Sequence, residues 1–255
     1  MADVTFQAGA DAYDRFMGRW SRPLAGELVR LVDPRPGQRV LDVGCGPGAV
    51  TAELVRRLGD GVSALDPQPG FVAALRDRFP GVDVRQGRAE ALPFDDDDFD
   101  VALAQLVVQF MQDPVAGLRE MARVVRPGGV VAASVWDHGT GPGPLTPFWA
   151  GVRALRPDHP GQSMLAGTHD GELAGLAREA GLAEVRQDVL TVHRRFASFE
   201  DWWEPFLLGV GPAGGFVASL DDAGRERLRE RCREELPDGE FELAARAWCV
   251  TGRAD

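Results

Sequence analysis

The chain has 255 residues, 44% of them hydrophobic, which suits one α/β domain of roughly 250 residues with a sizeable core. Its formal net charge of −11 repels phosphate backbones and argues against a general nucleic-acid binder, and no apolar run approaches the ~20 residues that cross a bilayer. Met1 to Ala12 carries neither the basic run nor the apolar stretch of a signal peptide, and Cys45, Cys232 and Cys249 form no C-x-x-C zinc or redox pair, so the expectation is a cytoplasmic protein with reduced thiols.

In chain order, Tyr13, Phe16, Met17, Trp20 and Leu24 recur at the spacing of one helix face. They predict helix over 11–32, divided into two at Pro23, which would open the second helix. Apolar strands are expected at 39–43, 62–65, 82–84, 99–104 and 130–136, with helices at 49–58, at 71–79 and around Leu118 to Val125. This alternation argues for a parallel sheet covered by helices on both faces and joined by right-handed crossovers. Past Trp136 the rhythm breaks into a Gly- and Pro-rich stretch over 137–170. A helix at 171–180, a strand at 183–196, a helix at 198–208, a charged helix at 221–235 and a final strand at 241–251 follow.

The strongest local signal is Val40-Leu41-Asp42-Val43-Gly44-Cys45-Gly46-Pro47-Gly48, a strand that passes through three glycines straight into a helix. Missing Cβ atoms let a ligand approach the backbone, and the helix start offers free N–H groups. Asp66, about 20 residues on at the end of the next strand, can accept from two ribose hydroxyls. Taken alone, these residues indicate an adenosine-containing cofactor. Gly44-x-Gly46-x-x-Ala49 also satisfies the relaxed dinucleotide fingerprint, which leaves an NAD(P)-dependent oxidoreductase as an alternative. That alternative lacks a Tyr-x-x-x-Lys pair, because the single tyrosine has no lysine at that spacing.

The run from Val40 to Gly48 resembles the first motif of class I S-adenosylmethionine (SAM)-dependent methyltransferases, including Asp42 and Pro47. Further segments fit the same family in order: Ala64-Leu65-Asp66, Gly87 to Phe94, Phe99 to Gln105 with Phe110 and Asp113-Pro114, Arg126-Pro127-Gly128-Gly129, and Ala180-Gly181-Leu182. The closest flavour is the small-molecule branch, similar to the methyltransferase type 11 group. The resemblance implies a Rossmann-like doubly wound sheet of seven strands, mostly parallel, with an antiparallel last strand and helices on both faces. It implies one domain over 1–255, with an N-terminal helical lid at 1–36 and substrate-side insertions at 137–170 and 196–238. It also implies that Asp42, Gly44, Cys45, Gly46, Gly48, Asp66, Pro67, Ala89, Glu90 and Gln105 bind the cofactor. Tyr13 and Arg19 would hold the SAM carboxylate, as similar positions do in some relatives; packing of the N-terminal segment on the core is the competing reading. Many relatives carry an acidic residue where this chain has Arg88, which cannot accept from the adenine amino group; Glu90 or a backbone carbonyl would do so.

Transfer from a sulfonium needs alignment and water exclusion, and a base only where the nucleophile must lose a proton. No His/Asp/Glu spacing resembles a metal site, so no metal is expected. His138, directly after the fifth strand, is the candidate general base. Trp20, Trp149, Trp202 and Trp203 are candidates for an apolar substrate pocket, with core packing as the alternative for each. The expected activity is methylation of an O, N or C nucleophile of a small molecule, and a SAM-binding protein without catalysis is the other alternative. The sequence carries no signal for an oligomeric state.

Overall fold

A computed structural model describes residues 9–162 and 164–255; residues 1–8, which begin the expected lid and most of the stretch read for a signal peptide, lie outside the described residues. The N-terminal segment forms α1 (Ala10–Phe16) and α2 (Gly18–Val32). The division falls at Met17 and not at Pro23. Met17 keeps helical angles, and its carbonyl still accepts from Trp20 and Ser21, so the chain kinks rather than unwinds. Pro23 lies inside α2, where its missing N–H leaves only the Arg19 carbonyl, in the first turn, without a ladder partner. Leu24, Leu28 and Val29 are fully buried on the inner face of α2.

The alternation follows as β1 (Val40–Val43), α3 (Ala49–Leu58), β2 (Val62–Asp66), α4 (Pro69–Arg78), β3 (Asp83–Gln86), β4 (Phe99–Gln105), α5 (Pro114–Val124) and β5 (Val125–Trp136). Every residue of β1 and β2 is buried, as expected for strands covered on both faces. β5 starts earlier than its apolar run because the Pro127-Gly128-Gly129 turn stays within the ladder, beside a register shift between Phe99 and Val101. Beyond it come α6 (Thr146–Leu155), α7 (Glu172–Glu179), β6 (Ala183–Phe196), α8 (Phe199–Trp203), α9 (Gly211–Ala218), α10 (Asp222–Glu234) and β7 (Phe241–Arg253). Two of these were hidden by composition. α6 sits inside the Gly- and Pro-rich insert, and α9 has the sequence GPAGGFVA; each carries its proline in the first turn, where no N–H is needed. The helix expected over 198–208 divides into α8 and a 3-10 turn at Glu204–Leu208, which Pro205 opens.

The seven strands lie in the order β3-β2-β1-β4-β5-β7-β6, and β7 runs antiparallel to both its neighbours. The sheet is therefore Rossmann-like, with its last strand reversed. α2, α3 and α4 cover one face, through residues such as Leu28, Leu54 and Leu75. α5 and α7 cover the other through Leu118, Met121 and Leu173. The chain leaves β1 toward β2 on one side and returns to β4 on the other, so the crevice for a ligand opens at the carboxyl ends of β1 and β4.

Candidate active site

The turn after β1 holds Gly44, Gly46 and Gly48 at φ of 70°, 52° and 95°, angles that a side chain resists. The three glycines differ in what they face. A Cβ on Gly44 would run into Val107 and one on Gly48 into Leu75, while nothing lies within 4 Å of a Cβ on Gly46. Gly44 and Gly48 are thus required by packing, and Gly46 leaves open the surface where a ligand would meet the backbone. Beneath the turn, Thr51 Oγ1 donates to Asp42 Oδ2 at 2.5 Å. Burial pushes the Asp42 carboxyl up to about 7, against the pull of the Thr51 donors. Burial also holds the Cys45 thiol well above its usual range.

Asp66 closes β2 and is 6% exposed. Its carboxylate accepts from Gly46 N at 2.9 Å and Gln68 N at 2.8 Å. Burial nevertheless lifts it to about 6, the two N–H donors offsetting only part of the desolvation. Asp66, Gly44 and Gly46 line a cavity of about 700 Å³, a volume within the range of small-ligand sites. Pro67 and Gln105, the last residue of β4, lie on the same wall; the Gln105 amide donates to the Ser21 carbonyl. Asp42 and Cys45 line a small recess behind the turn.

Trp136, the last residue of β5, His138 and the turn after β4 also line the cavity. Next to His138, the Asp137 carboxylate, 1% exposed, accepts from Gly139 N, Thr140 N and Thr140 Oγ1 and lies 3.4 Å from Arg246, while His138 N donates to the Thr168 carbonyl. Burial pushes His138 down to about 4, Asp137 pulling the other way and His169 adding to the shift, so its ring is neutral at pH 7. Three segments cover the cavity. α1 and the residue after it supply Tyr13, Phe16 and Met17, the insert supplies Leu145, Gln162 and Leu165, and the start of α9 supplies Val210 to Ala213. Tyr13 meets Phe71 edge-on at 5.6 Å, and burial together with Asp66 and Asp14 raises its hydroxyl.

Several residues singled out from sequence stand elsewhere. Arg19 donates to the Asp201 carboxylate at 2.6 Å and to the Asp201 carbonyl at 2.7 Å, tying α2 to α8, and is not among the residues that line the cavity. Trp20 packs on Phe196, Trp149 donates to Gln162 Oε1 and stacks on His159, and Trp202 and Trp203 join Phe199 and Phe206 in a buried cluster. None of these four tryptophans lines the cavity, because the large rings fill the layer beneath the covering segments. Arg88 is on the wall in place of Ala89 and Glu90; Ala89 is buried, and Glu90 accepts from Gln112 N at 2.7 Å with Arg88 Nε 3.6 Å away. Trp136 and Gln109 were not singled out. Trp136 had a readable signal: like Asp66 and Gln105, it ends a parallel strand on the side where the glycine turn lies.

The residues at the turn fit SAM. Gly46 would give it backbone to approach, Asp66 would offer a carboxylate to the ribose, and the start of α3 a positive end to its own carboxylate. Residues 41–133 match a family model described as a methyltransferase domain. Nocamycin O-methyltransferase of Saccharothrix syringae is 34% identical over 210 residues, which cover 72% of this chain and 73% of that one. Malonyl-[acyl-carrier protein] O-methyltransferase of Serratia marcescens is 34% identical over 143 residues, so that the chain spans only 56% of that relative's length. Among solved structures, Haemonchus contortus phosphoethanolamine N-methyltransferase 2 in complex with S-adenosyl-L-methionine shares the fold, with a TM-score of 0.59 at 16% identity over 100% of this chain and 61% of that one. The chain belongs to the SAM-dependent methyltransferases. That membership displaces the oxidoreductase alternative. Among the described residues no helix is long and apolar enough to cross a membrane.

Proposed function

We propose that this chain transfers a methyl group from SAM to a small molecule held in the cavity, with His138 as the group that takes a proton from the acceptor. The observation that carries this reading is a single cavity lined by Gly46 and Asp66 together with Trp136 and a neutral His138. When bound, SAM supplies an electrophilic methyl group on a sulfonium. Asp66 orients the ribose, and the turn around Gly46 receives the rest of the cofactor against bare backbone. Arg88 closes the adenine end, with Glu90 beside it. The wall residues Phe16, Met17, Leu145 and Leu165 exclude water from the reacting atoms. A lid over 1–36 and substrate-side insertions over 137–170 and 196–238 are supported by the wall residues that each supplies. The relative covered to 73% of its length is an O-methyltransferase, which favours oxygen over nitrogen or carbon as the acceptor atom.

Calorimetric titration of S-adenosylhomocysteine into the protein and into Asp66→Ala tests the cofactor end. Binding that the substitution weakens at least tenfold is expected, followed by incorporation of label from methyl-labelled SAM into small molecules. A folded protein that binds no S-adenosylhomocysteine overturns the reading.

A further inference from the structure

Strand pairing sets Arg88 beside Asp66. Asp66 ends β2 opposite Gln86 of β3, and Gly87 N donates to the Asp66 carbonyl at 3.1 Å. Arg88 is the next residue, and it lines the cavity together with Asp66. In the sheet order β3 lies beyond β2, on the side away from β1 and its glycine turn. A cofactor that rests its ribose on Asp66 and its amino-acid part on the glycine turn therefore carries its base toward β3 and Arg88.

Arg88 meets that base as a donor whose fork is unengaged. Its side chain is 52% exposed, Glu90 Oε2 lies 3.6 Å from its Nε, and its terminal nitrogens have no hydrogen-bond partner among the described residues. A guanidinium cannot accept a hydrogen bond. The acceptors nearby are already in use. Glu90 is not among the residues that line the cavity, and its Oε1 accepts from Gln112 N at 2.7 Å. The Arg88 carbonyl accepts from Ala91 N at 3.2 Å. Asp66, the only carboxylate among the described residues of the wall, accepts from Gly46 N and Gln68 N. Gln68 and Gln112 add side-chain amides to the wall, which donate or accept according to how they are turned and so favour neither an amino nor a carbonyl group.

Resting on the methyltransfer reading, we propose that Arg88 is a specificity residue for the base of the cofactor, and that this site does not select the exocyclic amino group of adenine. On a purine, the guanidinium fork matches two adjacent acceptors, a ring nitrogen and a carbonyl oxygen, as hypoxanthine presents them. Adenine gives the fork the ring nitrogen but sets an amino donor where the second acceptor would stand. The site thus takes a purine with a carbonyl at that position about as readily as adenine. Arg88 acts on binding and touches no reacting atom.

Calorimetry with S-adenosylhomocysteine and with S-inosylhomocysteine, which carries a carbonyl in place of the amino group, tests this on the full chain. The inosyl compound is expected to bind no more than about threefold more weakly than the adenosyl compound. Arg88→Met keeps an apolar stem and removes the fork; it should move the ratio of the two affinities about three- to tenfold toward the adenosyl compound. Arg88→Asp supplies an acceptor for the amino group and should move the ratio at least about tenfold in the same direction. A residue acting only on the fold would weaken both compounds alike and leave the ratio unchanged. A larger preference of the native chain for the adenosyl compound, or a ratio that neither substitution moves, overturns the proposal. Failure of S-adenosylhomocysteine to bind the folded native chain instead brings down the methyltransfer reading beneath it.

Discussion

At the scale of single residues, the glycine turn separates stability from binding. Gly48→Ala must place a Cβ at φ 95° and displace Leu75, and should cost about 2–4 kcal/mol in denaturant unfolding. Gly46→Ala meets no neighbour and should cost only about 1–2 kcal/mol, yet lose most affinity for S-adenosylhomocysteine, because the new methyl group occupies the approach to the backbone. The two buried carboxyls give pH signatures. Asp66, raised to about 6, is roughly one-tenth ionised at pH 5, so affinity for S-adenosylhomocysteine should fall about tenfold between pH 7.5 and pH 5 in calorimetry. Asp42, raised to about 7, binds its proton more tightly in the folded chain than in the unfolded one. Its contribution to stability is therefore lost as pH rises from about 4 to about 7. Asp42→Asn should raise the melting temperature at pH 8, and the gain should vanish near pH 4.

At the scale of elements, the pair between Arg19 and Asp201 joins α2 to α8, both groups being about one-quarter exposed. Arg19→Ala should lower stability by about 1 kcal/mol and leave affinity for S-adenosylhomocysteine within twofold; a large loss of affinity would return Arg19 to the cofactor. Elements with a regular apolar period were readable: α3 and β6 fall on the residues that their patterns mark. Where one local rule competed with another, the sequence misled. Pro23 reads as a helix start, but helix on both sides outweighs the loss of one hydrogen bond, and the kink moves to Met17 beside Gly18. The helices α6 and α9 were hidden because few of their residues prefer helix; burial of Phe148, Trp149 and Val217 against neighbouring layers stabilises them. The site divided in the same way. Gly46 and Asp66 are fixed by the backbone and were legible from spacing, whereas the direction of Arg19 and of the tryptophans depends on helix rotation and on contacts distant in sequence.

At the scale of the whole molecule, the cavity is bounded by parts of the chain that lie far apart in sequence: α1, the turns after β1, β4 and β5, the insert and the start of α9. Substitutions in any of them reach the same space, so selectivity is a property of the assembled cover and not of one segment. The sheet has a further consequence at its border. Among the described residues, β6 is the last strand in the order and pairs only with β7, which leaves fourteen residues of backbone edge with no described strand beyond them. Such an edge is a template for another chain. Arg186, Asp188, His193 and Arg195 project exposed along it, and Glu184, at φ 48°, bends its beginning near a break in register. The exposed charges of Arg186, Asp188 and Arg195 thus act on colloidal behaviour. Replacing Arg186 and Arg195 with valine should leave the melting temperature within a few degrees and yet make light scattering rise with concentration, as copies begin to add strand to strand.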